Sequence, residues 1–189
     1  MKILLIQGNP EKQSFNGEIA DAYVRGATRA GHEVRRLDLV DLRFNPILTK
    51  QIAMGALEPD LQNVQQDILW CEKLVVIYPQ WWGSWPALLK GFIDRTLQSG
   101  FAFRYHTTGS FWDKLLAGRS AEVISTSDAP WWWVWWQYGN ADRRAMTHAT
   151  LGFCGFSPVL FTRIDRVRFL TMEQRESWLK RVEAKAGQL

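Results

Sequence analysis

The chain has 189 residues, 47% hydrophobic and 22% charged, enough for one domain with a substantial core. Its net charge of +4 comes from 23 basic and 19 acidic residues that are scattered rather than massed, which argues against nucleic acid as a partner. No run approaches the length of a membrane span, the opening MKILLIQGNP is too short an apolar run for a signal peptide, and Cys71 and Cys154 lack metal-like spacing. A cytoplasmic protein with reduced, buried thiols is expected.

Strand-like runs and helical patterns alternate from the first residues. Residues 3–7 (ILLIQ) read as a strand, and 16–30 as a helix with Ile19, Ala20, Tyr23 and Ala27 on one face. Residues 32–38 alternate as a half-buried second strand, 60–71 form a second helix and 73–78 a third strand. Pro86 suits the first turn of a third helix over 86–97. A fourth strand is expected over 122–126, a fourth helix over 141–153, a fifth strand over 159–164 and a last helix over 172–186. This alternation predicts a parallel α/β sheet with helices on both faces, a three-layer sandwich in the flavodoxin-like order 2-1-3-4-5. Neither a repeat nor a linker interrupts it, so residues 1–189 form a single domain.

Three loops at the carboxyl ends of the strands carry the chemistry. The first, Gly8 to Asn16, brings Ser14, Phe15 and Asn16 to a helix N-terminus, where free N–H groups and the positive helix end suit an anion. Ser and Asn are also ordinary N-caps. The second, Trp81-Trp82-Gly83-Ser84-Trp85, exposes aromatics beside an open backbone, as a site for a flat ligand would, whereas a purely structural reading packs the rings on a neighbouring helix. The third, Thr126 to Asp128, supplies backbone donors and small polar groups, or simply caps the strand. Beyond it, WWWVWW over residues 131–136 is too large to be core and reads as a lid or a subunit interface. Lys90, Asp94 and Arg95 read as a solvated or interfacial charge set, and the three histidines do not cluster. A flat, phosphate-ready site without evident acid–base machinery suits a redox cofactor, which carries the reaction itself.

These residues resemble the flavodoxin-like NAD(P)H:quinone oxidoreductase family. The likeness is carried by SFN at 14–16, FNPI at 44–47, the PxxWxxxPAxLKGxxxR pattern over 79–95, GFAFRY at 100–105 and FCGF at 153–156. It implies that Asn9, Ser14, Phe15 and Asn16 wrap the flavin phosphates, and that Gln65 touches the distal part of FAD. Pro79, Gln80, Trp81, Trp82 and Gly83 run along the isoalloxazine, with Thr126, Ser127 and Asp128 at its other edge. Trp82, Phe103, Tyr105, Trp131 and Trp132 then wall the substrate pocket, Phe103 and Tyr105 facing it from a partner subunit. Asn9 stands where mammalian members have a histidine, and of their catalytic Tyr and His only Tyr138 offers a counterpart.

The resemblance implies a homodimeric enzyme with FAD, or alternatively FMN. NAD(P)H would reduce the flavin and a quinone or similar aromatic acceptor would reoxidise it in a ping-pong cycle of two-electron steps. Azo or nitroaromatic reduction on the same fold, and a flavin-binding redox carrier or regulatory subunit, are the alternatives.

Overall fold

The computed structural model describes residues 1–50 and 55–189. Five parallel strands, β1 (Lys2–Gln7), β2 (Glu33–Asp38), β3 (Lys73–Pro79), β6 (Ser120–Thr126) and β7 (Val159–Ile164), form one sheet in the order β2-β1-β3-β6-β7. Taken in chain order these five strands reproduce the expected 2-1-3-4-5 pattern. A hairpin of β4 (Phe103–Tyr105) and β5 (Trp112–Lys114) stands apart from the sheet. Sequence patterning missed it, because two three-residue strands are too short to display a period.

Alternate side chains on the central strands point to opposite faces, so each face needs its own cover. Ile3, Leu5, Val75, Ile77 and Ile124 pack beneath α1 (Phe15–Arg29) and the last helix, α6 (Met172–Ala186). These two helices touch at Gly26, where a Cβ would meet the carbonyl oxygen of Glu183 at 2.0 Å. Leu4, Ile6, Leu74, Val76 and Val123 pack on the other face with α2 (Pro59–Trp70) and α3 (Ala87–Thr96). The result is the three-layer α/β sandwich.

The KGxxxR pattern acquires a structural explanation. Gly91 on α3 lies so close to Pro46 that a Cβ would meet its Cβ at 2.5 Å and its carbonyl at 2.6 Å. One turn on, Arg95 is 1% exposed and grips Glu58 through two hydrogen bonds, of 3.0 and 2.5 Å, while also donating to the carbonyl of Asn45. The Arg95 guanidinium holds the Glu58 carboxyl down to about 2. This corrects the expectation for the charge set: Lys90 and Asp94 form an exposed i,i+4 pair at 2.7 Å, but Arg95 is a buried clamp on the FNPI segment.

Residues 131–136 form a short helix, α4 (Trp131–Trp136), begun by Pro130 in extended conformation, and one further expectation changes. The helix expected over 141–153 starts as α5 (Ala141–Arg144) and passes into a π-helix over Ala145–Gly152. The Thr147 hydroxyl donates to the Arg143 carbonyl at 2.8 Å, a side-chain bond that competes with the regular helical ladder. No helix of the described residues is long and apolar enough to cross a membrane.

Candidate active site

The carboxyl ends of β1, β3 and β6 are tied to one another by hydrogen bonds between their loops. Gly8 leaves β1 with its N–H on the Ile77 carbonyl at 2.7 Å, and a Cβ there would crowd Leu89 at 3.0 Å. Asn9 Nδ2 donates to Ser14 Oγ at 3.0 Å and reaches Asn16 Oδ1 at 3.5 Å. Thr126 Oγ1 donates to the same Asn16 oxygen at 3.1 Å, joining the first loop to the end of β6. The Gln80 N–H donates to the Thr126 carbonyl at 2.6 Å, and Ser127 Oγ donates to Gln80 Oε1 at 2.9 Å, joining β6 to the loop after β3. Three loops distant in sequence thus share one polar seam.

Within the seam each polar group has an assignable task. Ser14 is the N-cap of α1: it accepts from the Gly17 N–H at 3.3 Å and donates to the Glu11 carbonyl at 2.8 Å. Its hydroxyl is therefore committed to the fold. The groups still available to an anion are the first N–H groups of α1, which have no intrahelical carbonyl, at its positive end. Phe15 buries its ring in the core, with the Arg175 guanidinium 5.1 Å from the ring centre, and offers the ligand edge only its backbone. Asn16 and Gln80 differ from their neighbours: Asn16 Nδ2 and Gln80 Nε2 are buried donors with no partner. An unpaired buried amide is destabilising by about 1–3 kcal/mol, so these two groups are the unsatisfied donors of the seam.

The loop after β3 is a tight turn. Trp81 and Ser84 exchange backbone hydrogen bonds of 3.0 and 2.9 Å, and Trp82 and Gly83 between them both have positive φ, 52° and 71°. That pair of angles defines the primed type I turn, for which Asn-Gly is the favoured sequence. Tryptophan at its first central position is strained by about 1–2 kcal/mol, and the strain holds the indole fully in solvent. Trp85 turns the other way, its ring edge-on to Tyr78 and its indole N–H on the Asp142 carbonyl at 3.3 Å.

Beneath this turn lies a polar row that sequence reasoning missed. Tyr78, Ser125 and Arg163 are register neighbours across β3, β6 and β7. Asp142, itself 1% exposed, accepts from Arg163 Nη2 at 2.5 Å, and Arg163 Nη1 donates to Asn140 Oδ1 at 2.9 Å. The Tyr78 hydroxyl, Ser125 Oγ and one oxygen of Asp142 have no hydrogen-bond partner. Burial pushes the Tyr78 phenol well above its ordinary range, with the Asp142 charge adding to the shift. Burial likewise raises the Asp165 carboxyl, opposed by Arg163 and assisted by Asp142. The available signal was a tyrosine, a serine and an arginine at the ends of the three strands.

The remaining expected site residues divide. Tyr138 is brought in: its ring packs beside Gly83, 3.5 Å from where a Cβ would stand, and edge-on to Trp133 at 6.4 Å. Pro79 pairs with Thr126 in the sheet, at the base of the site. Asp128 accepts from the Arg168 N–H at 2.9 Å, so its carboxylate is engaged with the segment after β7. Gln65 sits in mid-α2 with its amide on the Thr96 carbonyl at 3.0 Å, and is not joined to the three loops. Phe103 and Tyr105 lie on the separate hairpin, in an aromatic cluster with Phe153, onto which Trp112 stacks at 4.3 Å. Trp131 and Trp132 stand on α4, 66% and 51% exposed. Cys71 and Cys154 are buried thiols, both pushed up to about 11 by burial, and no cluster of the described residues could hold a metal ion.

A parallel sheet in this order, with polar loops converging at its carboxyl edge beside a helix N-terminus, defines a flavodoxin-like architecture. The chain belongs to the flavodoxin-like fold family, whose match spans residues 1–189. A rat ribosyldihydronicotinamide dehydrogenase (quinone) is 27% identical over 221 residues, which cover 97% of this chain and 91% of the relative. The crystal structure of Smu.1420 from Streptococcus mutans superposes with a TM-score of 0.86 at 28% identity, covering all of both chains. An NAD(P)H:quinone oxidoreductase from Methanothermobacter marburgensis shares the fold, with a TM-score of 0.81 at 24% identity over 99% of this chain and 96% of its own.

Proposed function

We propose that this chain is a flavin-dependent NAD(P)H:quinone oxidoreductase, catalysing NAD(P)H + H⁺ + quinone → NAD(P)⁺ + hydroquinone. The observation that carries the reading is the pair of unpartnered buried donors, Asn16 Nδ2 and Gln80 Nε2, in the seam that joins the three loops. Flavin has what they lack: carbonyl and ring-nitrogen acceptors on a flat body, and a phosphate for the α1 N-terminus. The full-length likeness to the rat quinone dehydrogenase supports the same assignment.

When bound, the flavin supplies the two-electron transfer between nicotinamide and acceptor. The chain's own residues hold and orient it. The opening N–H groups of α1 and Asn16 take the phosphate end, a contact common to FMN and FAD. FAD was expected partly through Gln65, whose amide is occupied by Thr96 within the chain, so neither Gln65 nor the phosphate contact separates FAD from FMN. Gln80 and the backbone of the Trp81–Ser84 turn face the ring system, and the exposed Trp82 indole forms a platform beside it. Tyr138, against Gly83, is the side chain we assign to proton delivery at the acceptor oxygen.

The reading includes a homodimer. Tyr105 and Phe111 are 60% and 74% exposed, and beside Phe103 opens a groove of about 570 Å³ that Trp85, Ile93, Leu97 and Phe153 also line. A two-fold contact would cover this aromatic face and bring α4 of one subunit to the pocket of the other.

Initial rates at varied quinone and fixed NAD(P)H concentrations test the mechanism. One pocket occupied in turn gives parallel double-reciprocal lines; intersecting lines contradict it. Faster turnover of azo than of quinone acceptors would reassign the acceptor on the same machinery.

A further inference from the structure

Behind α4 lies a second pocket, distinct from the three-loop seam. It has a volume of about 510 Å³ and is lined by Trp135, Gly139, Asn140, Arg143, Arg144 and His148. Consecutive left-handed residues, Gly139 at φ 57° and Asn140 at φ 51°, fold the chain back so that the Trp135 indole and the two arginines line the same space. Arg163, through Asn140 Oδ1, anchors the bend.

The charge of this pocket is not neutralised. No acidic side chain lines it, and neither Arg143 nor Arg144 forms an ion pair among the described residues. Asp142, adjacent to both in sequence, turns its carboxylate inward to Arg163. Arg143, whose guanidinium also lies 5.7 Å from the Phe161 ring centre, and Arg144 give the pocket two exposed guanidinium groups with His148 beside them, a lining suited to a phosphomonoester dianion. The indole adds a flat apolar wall on which a purine can stack. The same short segment, residues 135–144, also carries Tyr138, the chain neighbour of pocket-lining Gly139, whose ring rests on Gly83 of the candidate active site.

We propose that this pocket binds the 2′-phosphoadenosine end of NADPH, with Trp135 stacked on the adenine and Arg143 and Arg144 on the 2′-phosphate. The proposal rests on the reading of the chain as an NAD(P)H oxidoreductase and selects NADPH over NADH as its donor. Each lost charge-assisted contact to the phosphate is expected to weaken binding tenfold or more.

Isothermal titration of the purified protein with 2′,5′-ADP, 3′,5′-ADP and 5′-AMP tests it without recourse to turnover. The wild type should bind 2′,5′-ADP at least tenfold more tightly than 5′-AMP, with the advantage shrinking as salt is raised. In R143Q/R144Q that advantage should disappear, and the NADPH-to-NADH ratio of kcat/KM should fall at least tenfold. Both arginines are exposed, and circular dichroism verifies that the variant is folded. Equal wild-type affinity for 2′,5′-ADP and 5′-AMP, or a ratio untouched by R143Q/R144Q, would overturn the proposal. Tighter binding of 3′,5′-ADP would overturn it in favour of a coenzyme A-type ligand. Selective 2′,5′-ADP binding by a protein that reduces no acceptor would support the phosphate site and count against the oxidoreductase reading alone.

Discussion

The two tryptophan-rich segments look alike in sequence and behave differently in the fold. In residues 81–85 the backbone is fixed by a two-way hydrogen-bonded turn and by Trp85, whose N–H is anchored on the Asp142 carbonyl; only then is Trp82 presented to solvent. In α4 four of the five indoles are more than half exposed on a single helical turn, and Val134 is its one buried residue. The first segment thus sets one aromatic ring on a strained, doubly hydrogen-bonded turn, and the second sets several rings on a lightly held one. Asp142 holds the first segment through its carbonyl, while its carboxylate pairs with Arg163, which in turn holds Asn140 in the bend that follows the second.

Removing the Asp142 carboxylate should have the largest effect. Asp142→Ala leaves the backbone carbonyl that holds Trp85 but strands Arg163 as an unpaired buried charge, and urea denaturation should show a loss of about 3–5 kcal/mol. A loss below about 1 kcal/mol would mean that Arg163, and with it the Asn140 bend after α4, does not depend on that carboxylate. Next, Tyr138→Phe should lower turnover with quinone about a hundredfold, the range of a positioned general acid, while stopped-flow flavin reduction by NAD(P)H remains fast. An equal loss in both half-reactions would make Tyr138 part of the packing only.

The turn gives a prediction of opposite sign. Trp82→Asn creates Asn-Gly, the favoured pair for this turn, and should stabilise the protein by about 1 kcal/mol in thermal denaturation while weakening acceptor binding. Destabilisation would show that the Trp82 indole packs on the fold rather than serving a ligand. The smallest effect on stability is expected on α4: Trp132→Ser with Trp136→Ser should change it by less than about 0.5 kcal/mol, but should shift ultracentrifugation from dimer to monomer. A large stability loss without dissociation would erase the distinction between the segments.

Much of this was legible in the sequence, because apolar runs and amphipathic helices report burial directly. The five sheet strands, their order and the convergence of residues 9–16, 80–84 and 126–127 follow from such runs and the turn residues that end them. What could not be read depends on contacts between distant residues. Arg95 looks like any surface arginine until Gly91 admits Pro46 and Glu58 arrives beside it. The Asp142–Arg163 pair joins a helix to an edge strand, and neither residue stands out locally. The π register over 145–152 is a change of backbone hydrogen-bond register, which apolar periodicity over so short a stretch does not resolve. Ser14 shows the converse: its position at a helix start was plain, but its hydroxyl proved to be fully engaged by the cap.

The central claim is that the three-loop seam is completed by a flavin, and its most direct test is a titration of flavin-stripped protein with FMN and FAD, monitored by fluorescence. One flavin per chain should bind with strong quenching, and Asn16→Ala and Gln80→Ala should each weaken that affinity by about tenfold, the value of one buried hydrogen bond. Folded protein that takes up neither flavin, or binds one with an affinity indifferent to both substitutions, would contradict it.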